Sequence, residues 1–394
     1  MNCDIKRIYL LVSMCLAVNI SIETNAQSLE DTITSHWPKY ISLEKYLIPF
    51  TKADTIFNEI IMPIKTAGTI PKAKLLFPAK ELLSVKDVYL NKEFYQDKDW
   101  TVNGRDFFLT NSSNIPYMND EELIFTNQKE SLSLPSKKKG YYVLFSEGQL
   151  FPSYQLSVTY VPDKSINDLS FPDVIDPKPL VRLKRTHEKL RKGQPLNIVF
   201  YGNSIEVGGN SSGFQGVSPY MPNWTQLVIY NLRNHYSSSI SYTNNSVGGM
   251  TAKWGEENAD ELVALLNPDL VVIAFGMNDG TGKVPVSDFI NQLRGIMRSV
   301  CLKNPKCEFI LVTPMLANPL AIHSQIQEEY RLPIWSLAKE GVSVADVTVW
   351  HKWLLSYKSY QDMTGNNINH PNDYLARWYA HIVSELLIRG KEIL

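Results

Sequence analysis

The second half of the chain alternates short apolar runs with segments of helical periodicity, and this alternation limits the fold more than any other feature. The runs "LNIVF", "ISYTNN", "DLVVIAFG" and "CEFILVTPM" are strand-like, and most are strongly apolar. Between them, "NWTQLVIYNLRNHY", "ADELVALLN" and "VSDFINQLRGIMRSVCLKN" repeat apolar residues at helical spacing. Apolar strands separated by helices are typical of a parallel sheet covered on both faces. We therefore predict an α/β, doubly wound parallel sheet over residues 195–394.

The first half has a different rhythm. "DVYLNKEFYQDKDWTVNG" and "GYYVLFSEGQLFPSYQLSVTYV" alternate aromatic and polar residues between turn-forming Asn and Gly. Several short strands at this spacing predict an all-β sandwich or jelly-roll domain over residues 27–162. Residues 163–194 are interpreted as a linker, rich in Pro and Asp, followed by a short amphipathic helix that ends at Gly193.

The N-terminus has the features of a signal peptide. Lys6 and Arg7 precede a short apolar run, and the small residue Ala26 stands at a cleavage point. The run is too short to span a bilayer comfortably, although an N-terminal core helix is the alternative interpretation. We expect residues 1–26 to be removed and the protein to be exported, to the periplasm or outside the cell. A membrane span is not expected.

Charge and cysteine content narrow the class of function. The formal net charge is -1 and 44% of the residues are hydrophobic, so nothing indicates a nucleic-acid partner. Cys301 and Cys307 either close a small disulfide in an oxidising compartment or remain packed thiols. Their spacing is poor for zinc, and the sequence has no phosphate-binding loop or dinucleotide fingerprint. We predict neither a metal nor a cofactor.

The loops that follow the predicted strands carry residues suited to acyl transfer. A serine hydroxyl needs an imidazole to take its proton, and the attacked carbonyl needs preorganised N–H donors. Ser204 in "GNS" and His370 in "NINHPND" match the first two functions. Gly249 in "NNSVGGMTA" and Asn278 in "GMNDG" match the donors. Alone, each of these residues is as well explained by a turn, a cap or a loop hydrogen bond.

These four blocks, in this order, resemble those of the SGNH (GDSL-like) hydrolase family over roughly residues 195–390. The resemblance implies a flavodoxin-like sheet, with Ser204 as the nucleophile and His370 as the general base and then the general acid. It also implies an oxyanion hole formed by the N–H groups of Ser204 and Gly249 and the side chain of Asn278.

The sequence departs from the family pattern at two positions. The first block has Asn203 where the family usually has aspartate. The third residue before His370 is Asn367 where the family usually has the aspartate that orients the imidazole. An amide can accept a hydrogen bond from the ring but cannot compensate its positive charge. The site is therefore predicted to be a Ser–His dyad supported by Asn367 or a backbone carbonyl. The carboxylates that are candidates to replace this orienting aspartate are Asp373, Asp362 and Glu206.

A long polar and aromatic loop follows the nucleophile. Tyr220 and Trp224 in this loop, with Trp254, either stack on sugar rings or serve as packing. A β-sandwich before an SGNH domain resembles exported bacterial carbohydrate esterases. The predicted function is therefore hydrolysis of ester groups, most simply O-acetyl groups of a poly- or oligosaccharide. The alternatives are a lipase or lysophospholipase, a glycan-binding protein with a degenerate hydrolase domain, and an acyltransferase.

Overall fold

Short strands dominate the first part of the computed structural model, which describes residues 36–165, 169–172, 176 and 178–388. Their polar–apolar alternation leads to mostly antiparallel pairing, with β2 and β7 as a parallel pair. The strands are β1 (Ile56–Ile61), β2 (Ile64–Lys65), β3 (Lys72–Lys74), β4 (Ala79–Asp87), β5 (Trp100–Asn103), β6 (Asp106–Leu109), β7 (Met118–Asn119), β8 (Ile124–Phe125), β9 (Ser133–Pro135), β10 (Tyr142–Leu144) and β11 (Leu156–Pro162). They form three small sheets, ordered β1-β11-β4, β8-β10-β9 and β5-β6-β3-β2-β7.

A five-stranded parallel sheet follows. Its strands are apolar and largely buried, as expected for a sheet covered on both faces. They are β12 (Leu196–Gly202), β13 (Ile240–Asn244), β14 (Leu270–Ala274), β15 (Glu308–Val312) and β16 (Val342–Ala345). The spatial order is β13-β12-β14-β15-β16, which is 2-1-3-4-5 in chain order. This is the flavodoxin-like order, so the prediction of a doubly wound parallel sheet after a strand-rich region is confirmed.

Helices connect the strands and cover the sheet. The α-helices are α1 (Leu43–Tyr46), α2 (Asp120–Leu123), α3 (Pro179–Arg182), α4 (Lys184–Arg191), α5 (Ser204–Val207), α6 (Trp224–His235), α7 (Ala252–Leu262), α8 (Met277–Thr281), α9 (Val286–Lys303), α10 (Arg331–Trp335), α11 (Val347–Leu354) and α12 (Asp373–Ile388). Single 3-10 turns lie at Trp37–Lys39, Pro152–Tyr154, Ala264–Leu266, Gln327–Tyr330 and Tyr360–Asp362. None of the helices in the described ranges is long and apolar enough to cross a membrane.

The two faces of the sheet have separate cores. Alternate residues of β12 point to opposite faces, so Phe200 packs with α6 and α12 while Val199 and Tyr201 pack with α7 and α9. The core that contains Phe200 is continuous with that of the strand-rich region, since it also includes Val158 and Tyr160 of β11. The described residues, which start at His36, form one compact unit.

The domain boundaries at residues 162 and 194 stay predictions, because the continuous core does not resolve them. Residues 1–26 of the predicted signal peptide lie outside the described residues. The predicted short helix is present as α3 and α4, and Gly193 follows it with a left-handed φ of 66°.

Strand β10 lies against the loops of the parallel-sheet region. Val143 belongs to a small apolar cluster with Ala321 and Ile368. The Asn367 side chain donates to the carbonyl of Leu144 at 2.9 Å. The residues that follow β10 are therefore held beside the loop that carries His370.

Candidate active site

Ser204 lies at the sharp turn between β12 and α5. The strand ends at Gly202, and no side chain fits there, because a Cβ would lie 2.4 Å from Glu206 Oε2 and 2.7 Å from the Ala274 carbonyl oxygen. Asn203 then adopts an extended conformation and caps α5, whose first residue is Ser204. The turn exposes part of the Ser204 side chain beyond the end of a buried strand.

The amide of Asn203 has two hydrogen-bonding roles in this turn. Its Oδ1 accepts from the Ile205 N–H at 3.1 Å, and its Nδ2 donates to the Ala274 carbonyl at 3.3 Å. Glu206 Oε2 accepts from the Asn203 N–H at 2.8 Å, which completes a capping box. An aspartate cannot donate to the Ala274 carbonyl, so the asparagine fits the contacts of this particular turn.

His370 stands over the nucleophile. Its Nε2 lies 2.9 Å from Ser204 Oγ, which is hydrogen-bond distance. Gly209 makes room for the ring, because a Cβ there would lie 3.1 Å from His370 Nδ1 and 3.1 Å from the Ser204 carbonyl oxygen. The glycine-rich stretch after Ser204 thus allows the imidazole to approach the hydroxyl.

Asn210 holds the other side of the ring. His370 Nδ1 lies 2.7 Å from Asn210 Oδ1, an oxygen that can only accept. The ring proton is therefore on Nδ1, and the lone pair of Nε2 faces the Ser204 hydroxyl. Asn210 is buried, and its backbone has a left-handed φ of 65°.

Glu147 also approaches this nitrogen, from the segment after β10. Its Oε2 lies 3.3 Å from His370 Nδ1, and its Oε1 accepts from Asn366 Nδ2 at 2.9 Å. Burial raises the pKa of Glu147. The His370 ring and the amides of Asn366 and Asn210 together lower this pKa by more than burial raises it, so the net shift is downward. The carboxylate is therefore ionised at neutral pH.

Sequence reasoning missed both Asn210 and Glu147. Asn210 directly follows Gly208 and Gly209, at the start of the polar and aromatic loop after the nucleophile. Glu147 lies in "FSEGQL", a stretch that looks like an ordinary turn between two strands. Nothing in the local sequence indicates that this turn meets a histidine more than 200 residues later, because the contact depends on how β10 packs.

The prediction that Asn367 orients the imidazole is wrong. Asn367 is fully buried, and its Oδ1 accepts from Gln361 at 2.8 Å and from Asn318 at 3.1 Å. Its Nδ2 donates to the Leu144 carbonyl. The side chain faces the strand-rich region rather than the ring, and it fastens the His370 loop to β10.

The three substitute carboxylates considered from the sequence have other partners. Asp373 accepts from the N–H and hydroxyl of Ser212 at 2.8 and 2.6 Å. Asp362 accepts from the Met62 N–H at 2.7 Å. Glu206 serves the turn below Ser204. Burial raises the pKa of all three carboxyl groups, to about 6 for Asp373 and about 8 for Glu206.

Beside Ser204 itself, the predicted oxyanion-hole residues Gly249 and Asn278 lie on two neighbouring loops. A Cβ on Gly248 would lie 3.8 Å from Ser204 Cβ, so the glycine loop passes beside the nucleophile. Gly249 is exposed and has a left-handed φ of 79°. Asn278 Nδ2 donates to the Met250 carbonyl at 2.9 Å, and Asp279 accepts from the Ala252 N–H at 2.8 Å. The "GMNDG" loop therefore fixes the position of the glycine loop.

The three candidate sugar-binding aromatics differ in exposure. Trp224 is 1% exposed and packs between Phe200 and Tyr379, so of its two alternatives, sugar stacking is ruled out and packing holds. Tyr220 and Trp254 are half-buried and remain candidates.

The cysteine alternatives are resolved. Cys301 and Cys307 are free thiols, and burial raises the pKa of both. Within the described ranges, no group of three or more His, Cys, Asp or Glu side chains is arranged to hold a metal ion.

The sequence profile of the GDSL-like Lipase/Acylhydrolase family matches residues 200–378, which include Ser204, the glycine loop, Asn278 and His370. The chain carries a GDSL-like acylhydrolase domain. The resemblance drawn from the four sequence blocks is therefore confirmed. The prediction of a carboxylic ester hydrolase is confirmed at the level of this family.

Several solved structures are similar to the chain over about half of its length. A two-domain esterase (CEX) active on acetylated mannans, co-crystallised with mannopentaose, is 24% identical with a TM-score of 0.41, over 54% of each chain. A catalytic mutant of Axe2, an acetylxylan esterase from Geobacillus stearothermophilus, is 18% identical with a TM-score of 0.39, over 50% of this chain and 94% of its own. The chain thus spans about half the length of the mannan-active esterase. No curated protein matches its sequence.

Proposed function

We propose that this protein is an exported serine esterase that removes O-acetyl groups from a poly- or oligosaccharide. The single observation that carries the proposed chemistry is the chain of contacts from Ser204 Oγ to His370 Nε2 at 2.9 Å and from His370 Nδ1 to Asn210 Oδ1 at 2.7 Å. A neutral imidazole with its free nitrogen on a serine hydroxyl is the arrangement that general-base activation needs.

The first half of the reaction forms an acyl-enzyme. His370 Nε2 takes the proton of Ser204 as Oγ attacks the ester carbonyl carbon, and the carbonyl electron pair moves to oxygen. The resulting oxyanion accepts hydrogen bonds from the N–H groups of Ser204 and Gly249 and from the second amide hydrogen of Asn278. When the tetrahedral intermediate collapses, the ester C–O bond breaks and the departing sugar oxygen takes the proton from Nε2.

The second half regenerates the enzyme. Water attacks the acetyl carbonyl on Ser204 while His370 Nε2 takes a proton from that water. Collapse of this second intermediate breaks the bond to Oγ, which recovers its proton from the imidazolium. Acetate leaves, and no cofactor takes part in the balance.

The surroundings of Ser204 favour a small acyl group on a hydrated alcohol. Ser204 is half-buried, and the neighbouring Gly248 and Gly249 are exposed, so the nucleophile is approached across bare backbone. A long acyl chain gains its affinity from burial in an apolar groove, whereas an acetyl group on a polymer needs an open approach. In the loop after Gly209, Phe214 is 52% exposed and offers an aromatic surface for a sugar ring.

Export is part of the proposal and rests on the signal-like residues 1–26. N-terminal sequencing of the protein recovered from the native host or a secreting host is expected to give a chain that starts at Gln27. A chain recovered in the cytoplasm with residues 1–26 still attached contradicts export and leaves the esterase chemistry untouched.

The test of the reaction compares the wild type with Ser204→Ala on acetylated xylan, mannan and pectin. Acetate release by the wild type is expected, and Ser204→Ala is expected to lose at least about 10³-fold in kcat because the nucleophile is gone. Ser239→Ala is the matched control, since this exposed serine lies on the connection into β13. It is expected to keep wild-type activity.

Other outcomes identify the competing functions. Rapid cleavage of long-chain esters without acetate release from any glycan overturns the carbohydrate assignment in favour of a lipase. Failure of a fluorophosphonate to label Ser204 in the wild type overturns the serine mechanism and favours a degenerate, glycan-binding protein. Transfer of the acetyl group to added sugar at the expense of free acetate identifies an acyltransferase.

A further inference from the structure

The carboxylate of Glu147 reaches the His370 ring from outside the segment that matches the family. The matched segment is 200–378, whereas Glu147 follows β10 of the strand-rich region. Its Oε2 lies 3.3 Å from the same Nδ1 that Asn210 contacts at 2.7 Å. The ring nitrogen therefore faces two acceptors, one neutral and one a carboxylate.

We propose that Glu147 is a positioning residue for His370 and that the strand-rich region thereby completes the active site. The proposal rests on the proposed function, because it gives Glu147 a role in the Ser204–His370 reaction. Glu147 keeps the ring proton on Nδ1 and compensates the positive charge that the imidazole gains when it takes the serine proton.

The two acceptors beside Nδ1 determine the tautomer of the His370 ring. A carboxylate can only accept, so a nitrogen beside Glu147 Oε2 is favoured to carry its proton. Asn210 Oδ1 favours the same tautomer. Both groups leave the lone pair on Nε2, where Ser204 needs it.

The two acceptors differ in charge. An amide oxygen carries a partial charge, whereas a carboxylate carries a full one. His370 is neutral before the reaction and positive in the transition state, so an adjacent anion stabilises the transition state more than the ground state. Among the described residues, Glu147 is the charged group that contacts Nδ1, since the other partner of this nitrogen, Asn210, is an amide.

The position of Glu147 is fixed by several contacts. Asn366 Nδ2 donates to its Oε1 at 2.9 Å, while Asn366 Oδ1 accepts from the His370 N–H at 3.1 Å. Asn366 therefore holds the carboxylate and the histidine backbone at once. The neighbouring Asn367 binds the end of β10 through Leu144. The Glu147 side chain is 42% exposed, so its charge is partly screened by water.

The experiment measures kcat/KM for 4-nitrophenyl acetate against pH for Glu147→Gln, a near-isosteric neutral replacement. A fall of about 10- to 100-fold is expected, for an ion pair that is close but partly screened. The acidic limb of the profile is expected to move to lower pH. Removal of the anion makes the imidazole harder to protonate, so the ring stays a competent base at lower pH.

Two further variants serve as controls. Glu147→Asp keeps the charge, so the acidic limb of its pH profile is expected to lie close to that of the wild type. Glu130→Gln removes an exposed carboxylate from the same strand-rich region and is expected to match the wild type in rate and profile.

The outcomes distinguish the two proposals. Wild-type rate and profile in Glu147→Gln overturn the role of Glu147, and so does a lower rate with an unmoved acidic limb, which signifies a structural contact. Absence of fluorophosphonate labelling at Ser204 in the wild type overturns the proposed function instead.

Discussion

Asn210 adopts a backbone conformation that few side chains favour, and its side chain reaches the His370 ring from there. Its φ is 65°, a region that glycine enters freely and asparagine tolerates. Gly365 lies against it, and a Cβ on Gly365 would approach Asn210 Cβ to 2.5 Å. The asparagine is therefore packed on one side and hydrogen-bonded to the ring on the other.

Asn210→Gly tests the contribution of this side chain. Glycine fits the left-handed backbone without strain, so the change removes the amide and little else. The expected result is a fall of about 10- to 100-fold in kcat with a nearly unchanged KM, because the imidazole loses a partner that orients it. Steady-state kinetics on 4-nitrophenyl acetate provide the measurement.

The control for this change is Asn234→Gly on the exposed side of α6, which is expected to keep wild-type kinetics at some cost in stability. A rise in KM without a fall in kcat for Asn210→Gly contradicts the orienting role, because it identifies a substrate contact.

The turn from β12 to α5 encloses a carboxyl group that is almost completely shielded from solvent. Glu206 is 2% exposed, and burial raises its pKa to about 8 although the N–H of Asn203 opposes this shift. The folded state therefore holds the proton more tightly than the unfolded chain does. The stability that this group contributes is complete below its unfolded pKa and is lost as the pH rises through about 8.

Glu206→Gln is expected to flatten the pH dependence of unfolding. Burial also raises the pKa of Asp279 and of Asp373 to about 6, so the effect of Glu206 is best measured between about pH 6 and about pH 8. Over that range the wild type is expected to lose about 2 kcal/mol of unfolding free energy that the variant does not lose. Urea unfolding at both pH values provides the measurement. An equal slope in the two proteins, with Glu130→Gln as the control, contradicts a protonated Glu206.

The strands of the parallel sheet and their end loops could be predicted from the sequence because their signals are local. "DLVVIAFG" is apolar throughout and became the buried β14, and the three loops at the strand ends lie where parallel topology puts them. Trp224 shows the limit of such reasoning. Its loop and residue type suit a sugar, but it is the first residue of α6 and points into the core.

The contacts on the far side of His370 could not be predicted, because they join distant parts of the chain. Asn367 occupies the family's aspartate position, yet it faces Leu144. Glu147 occupies an unremarkable turn, yet it faces the ring. Both facts depend on the packing of β10 against the His370 loop, and no local periodicity encodes that packing.

A buried cluster of charges links the strand-rich region to the C-terminal segment across the molecule. Lys358 Nζ contacts Glu59 Oε1 of β1 at 2.5 Å and lies 3.7 Å from Asp362 Oδ2, with both Lys358 and Glu59 side chains 0% exposed. Glu59 also accepts from the Leu76 N–H and the Tyr160 hydroxyl, at 2.8 and 2.7 Å. Removal of the lysine leaves a buried carboxylate without its cation.

Lys358→Met is therefore expected to cost about 3–5 kcal/mol of unfolding free energy, whereas Lys352→Met, which breaks an exposed pair with Glu328, is expected to cost less than about 1 kcal/mol. The apolar core runs through both regions, so the variant is expected to unfold in a single transition at lower denaturant. Guanidinium unfolding is monitored by tryptophan fluorescence, far-UV circular dichroism and esterase activity, and the three unfolding curves are expected to coincide.

Two separate transitions, with only one displaced by Lys358→Met, mean that the strand-rich region folds independently and that the charge cluster only holds it against the rest of the chain. In that case Glu147 belongs to a separable domain. Esterase activity is then expected to be lost in the transition that separates this domain from His370.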